Sequence, residues 1–265
     1  MILQTIVFLK KLLRLTEKAR PNSKLMKTGI IPDTEDDRDF IFEPIGTSSF
    51  AKEIDLRPYV KEIKQQGRWN SCISHAICSC VEIQLTIQKP QTFMSLSERY
   101  NYYYGRIACG FSPSKNVGMY PRNAIKSAFD VGIAPEITCS YRENMSSEPT
   151  QMAKIMANLY KQRLGNYQRI YNEEGMKECL NDLKPFLIVC PIYSYWTNGG
   201  IGKDGIIRTP TGRDKETGYH AMTCIGYNEK GWILLNSWNC SWGDRGIGYL
   251  PYDYIINDRW LIELN

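Results

Sequence analysis

The sequence predicts an α+β protein of two packed subdomains with a cleft between them, on three observations. Helical apolar spacing dominates the chain up to about Leu183, and from Phe186 onward the apolar residues fall in short β-type runs. The chain has 265 residues and is 43% hydrophobic, enough to bury a full core as one domain or two lobes. Helices in the first half and strands in the second suggest subdomains of different class.

In order along the chain, residues 1–28 read as a basic helix. Ile2, Ile6, Leu9 and Leu13 fall on one face, closed by Lys10 and Lys11. The apolar run is too short to span a bilayer and has no positive charges before it. The preferred reading is a helix that docks on protein or lies on a membrane surface through residues 1–20, with a signal sequence or a disordered arm as the alternatives. Residues 29–54 are loop-rich, with Pro32, clustered acids through Asp39, and a linker-like Gly46-Thr-Ser-Ser49. Cys72 to Gln88 carries helical spacing, with Ser71 as an N-cap hydroxyl. Leu96–Tyr104, Pro121–Val131, Pro149–Leu164 and Met176–Leu183 are further helices. Strands are expected over Leu187–Ile192, Ala221–Tyr227, Gly231–Leu235 and Gly248–Leu250.

Composition excludes some classes. The net charge is +5, but Lys10, Lys11, Arg14, Lys18, Arg20, Lys24 and Lys27 stand against Glu17 alone near the N-terminus, leaving the rest close to neutral. No nucleic-acid partner is expected. The nine cysteines show no paired Cys-x-x-Cys, so neither a structural zinc nor any other metal or cofactor is expected. Cys190 and Cys224 read as buried thiols, and Cys78 and Cys80 point to different helix faces.

Histidine carries the sharper signal, because only His75 and His220 occur. Cys72 enters a helix, His220 follows 148 residues later, and Asn236 stands 16 beyond that, the chain order of a thiol protease site. A nucleophilic thiol works as thiolate, favoured by a helix N-terminus and a neighbouring imidazole. His220 would shuttle the proton, Asn236 would fix its tautomer, and Trp238 would roof that bond. Gln66 and the Cys72 N–H would hold the oxyanion. His75 reads as a hydrogen-bonded helix residue, and Cys240 as a half-buried structural one.

Gln66-Gly67 with Ser71-Cys72, His220-Ala221 with Gly226-Tyr227, and Asn236-Ser-Trp with Ser241-Trp-Gly-Asp-Arg-Gly246 resemble the papain-like cysteine peptidases, the cathepsin family. The resemblance covers roughly residues 53–265. Ile54-Asp-Leu-Arg57, Ser97-Glu-Arg-Tyr100 and Pro251-Tyr-Asp-Tyr254 are similar to the compact branch of prokaryotes and large DNA viruses. It implies a papain-like two-lobed fold: a helical left lobe over about 67–165, a β-barrel-like right lobe over about 166–265, and Cys72 facing His220 across the cleft. Catalysis by Cys72, His220, Asn236 and Gln66 follows from it, with Trp238 and Ser71 supporting the site.

The sequence also departs from the family. Trp69 stands where a disulfide-forming Cys is usual, Ile73 replaces the aromatic residue after the nucleophile, Tyr219 precedes the histidine, and Asn239 replaces a Gly. Such peptidases need about two dozen residues before the nucleophile, and here there are 71. Residues 1–50 are therefore expected to be a propeptide or cleft-occupying segment, an inhibitor in cis, with a mature start between Gly46 and Lys52. The chain is taken as a monomer acting on peptide or protein substrates. With two histidines it cannot build the paired-histidine loop of cathepsin B, so endopeptidase action is expected. A catalytically silent binding protein and a Cys-His-Asn amidase or acyl-transferase are the alternatives. An acceptor sequon at Asn239, where a glycan would obstruct the site, and the missing bridge favour a reducing or virion-associated compartment over an endolysosomal one.

Overall fold

The computed structural model describes residues 29–46 and 49–265. The amphipathic reading of residues 1–28, and with it the membrane contact, lies outside them. Five helices of two turns or more are present among the described residues. These are α1 (Cys72–Gln88), α2 (Glu98–Ala108), α3 (Pro121–Val131), α4 (Gln151–Lys161) and α5 (Glu173–Asn181); a single turn, α6 (Ser194–Thr197), follows. Local chemistry starts several of them. Ser97, Thr150 and Asn172 each accept a backbone N–H of the first turn, and Pro121 opens α3 where its missing donor costs nothing.

The strands are β1 (Ile54–Asp55), β2 (Leu164–Arg169), β3 (Phe186–Tyr193), β4 (Glu216–Asn228), β5 (Gly231–Leu235), β6 (Ile247–Leu250) and β7 (Asp258–Leu264). They form one antiparallel sheet in the order β2-β7-β3-β4-β5-β6, with β1 added against β4. Three strands escaped the sequence reading: β1, only two residues long at the end of the loop-rich stretch, and β2 and β7. β2, Leu-Gly-Asn-Tyr-Gln-Arg, is a polar edge strand without alternation, and β7 hides its apolar centre between Asp258-Arg259 and Glu263.

α1 is buried almost all round, as a helix through the middle of a protein must be. It packs on the sheet, where Thr223 Oγ1 donates to the Ala76 carbonyl at 3.2 Å and Gln84 Nε2 to that of Ile262 at 2.7 Å. One core joins α1 and the helices around it to Leu187, Val189, Ala221, Trp260 and Ile262 of the sheet. A second lies between α5 and the opposite side of the sheet, from Phe186 to Leu261. The fold is α+β and two-lobed, and the seam between lobes brings the first turn of α1 to the middle of β4.

Residues 29–46, read from sequence as loop, are pinned across this seam. Asp39 receives Arg122 Nε at 2.5 Å, Arg122 Nη2 at 2.7 Å and Arg169 Nη1 at 3.2 Å. Phe40–Phe42 lies along β2, bonding both the N–H and the C=O of Arg169. Glu178 accepts the N–H of Ile45 at 2.9 Å.

Candidate active site

The first element of the site is a short backbone ladder. Gln66 N–H donates to Ser237 O at 2.9 Å, and Asn239 N–H to Lys64 O at 3.0 Å, with Gln65 opposite Trp238. This fixes Gln66 beside the Asn236 loop before any side chain acts. Ser237 Oγ then donates to Gln66 Oε1 at 2.8 Å, and Gln66 Nε2 to the Trp69 carbonyl at 2.9 Å.

Cys72 is the first residue of α1, where four backbone donors lack helical partners. Ser71 occupies the N-cap position, but its hydroxyl makes no cap bond, a correction to the sequence reading. It lies instead 2.6 Å from the hydroxyl of Tyr141, which donates to the Gln66 carbonyl at 2.9 Å. Nothing in the sequence distinguished Tyr141 among 17 tyrosines. Burial pushes the Cys72 thiol up, while the backbone N–H groups of Ala221, Gly29, Ile73 and Cys72 itself pull it down. The thiol therefore sits against β4 at the residue after His220.

His220 is in register with Cys190 of β3 and fully buried. Its Nε2 is 2.8 Å from Asn236 Oδ1. That oxygen also accepts the Ser237 N–H at 2.7 Å; a backbone N–H needs an acceptor, so the oxygen, not the nitrogen, faces the imidazole. Nε2 then carries the proton and Nδ1 the lone pair. Trp238 stacks on the ring at 4.5 Å between centroids and is held edge-on by Trp242 at 5.7 Å. Asn239 has φ 63°, a left-handed position that Asn tolerates as Gly does. Burial lowers the His220 pKa to about 4, the Asn236 bond opposing.

Below lies a buried ion cluster. Lys64 Nζ donates to Glu82 at 2.6 Å, to Glu98, and to the Leu96 carbonyl at 3.3 Å. Burial would push Lys64 down, but the two carboxylates hold it well above its usual value. Cys240, expected half-buried, is exposed. All nine thiols are unpaired, and Trp69 leaves no partner for a bridge at its position.

The thiol is covered. Ile30 runs parallel to Met119, with the Met119 N–H on the Gly29 carbonyl at 3.0 Å and the Ile31 N–H on the Met119 carbonyl at 3.3 Å. Ile30 packs in the same core cluster as Cys72.

The family model for papain family cysteine proteases matches residues 50–257. The chain belongs to the papain family. An uncharacterised peptidase C1-like protein of Acanthamoeba polyphaga mimivirus is 25% identical over 234 residues, 82% of this chain and 74% of that protein. The structure superposes on xylellain, a cysteine protease from Xylella fastidiosa, with a TM-score of 0.82 and 25% identity over 93% of this chain and 99% of that one. Digestive procathepsin L 3 of Tenebrio molitor larval midgut shares the fold at a TM-score of 0.65 and 19% identity, over 86% of this chain and 75% of that one. As a papain-family member the chain is a cysteine peptidase, and peptides are its substrates.

Proposed function

We propose that this papain-family chain is an endopeptidase using Cys72, His220, Asn236 and Gln66, made in a form whose own residues 29–31 cover the thiol. The observation that carries the reading is the His220–Asn236 pair under Trp238, set in β4 directly before the residue whose N–H faces Cys72.

His220 Nδ1, the lone-pair nitrogen, takes the Cys72 proton; the thiolate attacks the peptide carbonyl, and the tetrahedral oxyanion meets the Cys72 N–H and the Gln66 amide. Collapse expels the amine, which receives the proton from His220. Water, activated by the same imidazole, hydrolyses the thioester. Asn236 holds the ring and Trp238 shields the bond. In the covered state both partners are neutral: burial holds the thiol up and the imidazole down. Uncovering readmits water, which stabilises the thiolate–imidazolium pair. Ser71 supports the site through Tyr141 rather than by capping α1.

Labelling with an epoxysuccinyl peptide, with Cys72→Ala as control, and a fluorogenic dipeptide assay test this. Label on another residue, or turnover by Cys72→Ala, refutes it. Cleavage mapping on a long peptide checks endo action, where release of terminal dipeptides alone argues against it. Acid incubation with N-terminal sequencing checks the covering segment: an intact, fully active Met1 chain removes the zymogen.

A further inference from the structure

The other histidine of the chain is not used by this mechanism, yet it lies under it. Asn236 Oδ1 is committed to His220 and to the Ser237 N–H, whereas Asn236 Nδ2 is buried without a protein acceptor. A cavity of about 10 Å³ adjoins it, about the space one water fills. Its polar lining is Lys64, His75, Ser79, Thr223, Asn236 and Ser237. Most of these are committed elsewhere. Lys64 gives its three protons to Glu82, Glu98 and Leu96 O, Ser237 donates to Gln66, and Thr223 donates to Ala76 O.

His75 differs. Its Nδ1 lies 3.0 Å from the Ser71 carbonyl, which can only accept, so Nδ1 carries the proton. Burial lowers its pKa and keeps the ring neutral, which leaves Nε2 as an acceptor. The groups facing it are the Tyr141 ring at 4.9 Å and, at longer range, Glu98, Lys64 and Glu62.

We propose that His75 is a positioning residue for Asn236: one buried water in this cavity accepts from Asn236 Nδ2 and donates to His75 Nε2, holding the amide against rotation. A rotated amide would offer N–H to His220 Nε2, force the proton onto Nδ1, and leave no base facing Cys72. The inference rests on the Cys72–His220–Asn236 reading of the site.

The test uses the active chain and three substitutions: His75→Phe, which fills the ring space but accepts nothing; His75→Gln, which keeps an acceptor; and Ser79→Val, which displaces the water. His75→Phe and Ser79→Val are expected to lower kcat roughly tenfold or more, with KM within about twofold, as losses of orienting partners do. The alkaline limb of Cys72 alkylation against pH should move to lower pH, because a loosely held amide stabilises the His220 imidazolium less. His75→Gln should stay within about threefold of wild type. Unchanged kcat and alkaline limb in His75→Phe, or equal damage from Gln and Phe, overturns the proposal. If His75→Phe does not fold, unchanged kcat in Ser79→Val, or a His75→Gln chain as impaired as Ser79→Val, overturns the proposal. A wild type without turnover, or a Cys72→Ala chain that turns over, refutes the catalytic reading itself, and the positioning role falls with it.

Discussion

The Gly29 carbonyl and the Met119 N–H meet at 3.0 Å, and this contact holds the N-terminal segment over the thiol. Gly118, next along the chain, makes room for it: a Cβ there would lie 1.4 Å from the Gly29 oxygen. The contact that seats residues 29–31 is thus built from backbone groups on both sides, while the side chains of Asp33 and Asp39 anchor the strap beyond it.

Gly118→Ala should therefore expel residues 29–31 while leaving its own backbone unstrained. Iodoacetamide should alkylate Cys72 at least about tenfold faster than in wild type, read by mass spectrometry, since opening no longer has to be reached thermally. An unchanged rate would mean that the segment does not shield the thiol.

The pH dependence of uncovering has two opposed contributions. His220 is lowered to about 4 when covered, so its stabilisation of the covered state is complete above its ordinary value near 6.5 and is lost as pH falls toward 4. Asp33 is raised to about 7, chiefly by burial, so it takes up a proton on docking and favours the covered state as pH falls below 7. Asp33→Asn removes the second contribution alone. Between pH 7 and 4, alkylation of Cys72, corrected for thiolate content, should rise more steeply in Asp33→Asn than in wild type. Parallel curves would exclude Asp33 as a linked group.

Asp39→Ala takes away the carboxylate that Arg122 and Arg169 share, while Arg169 keeps Asp258 and Arg122 keeps the Thr34 carbonyl. Loss of charge-assisted hydrogen bonds whose donors keep other acceptors costs about 1.5–3 kcal/mol. Denaturant unfolding should show that loss, and limited proteolysis should cut within residues 33–46 faster. Stability equal to wild type would show the anchor to be redundant.

Trp238→Ala should remove both the stack on His220 and the edge contact with Trp242. A loss of about 3–5 kcal/mol in stability is expected for so large a buried ring. With the imidazole free to shift, kcat should fall on the order of a hundredfold while KM changes little. Trp238→Phe should recover most of the rate; if it does not, shielding by the ring is not what matters.

Much of this was written in the order of residues. The bounds of α1, α3 and β5 follow from apolar spacing with Pro or Gly punctuation, because those elements are buried by patterns that repeat every turn or every second residue. Two histidines and one Asn-Ser-Trp block named the residues proposed for catalysis, since scarcity left few other choices. Polar β2 and charge-flanked β7 gave no such pattern, and their pairing depends on partners 90 to 100 residues away in the chain.

The tertiary structure alone decided three things. The Ser71 hydroxyl turned from its helix to Tyr141, because a phenol 70 residues distant lies within reach and the N-cap geometry offers it no backbone donor. Residues 29–46, unpatterned and acidic, became an ordered strap because Arg122 and Arg169 are brought together only by the fold. The cavity joining His75 to Asn236 exists only where α1 crosses the sheet. Sequence periodicity encodes what each element buries, but not which distant group meets an unsatisfied donor, because that depends on how the layers stack.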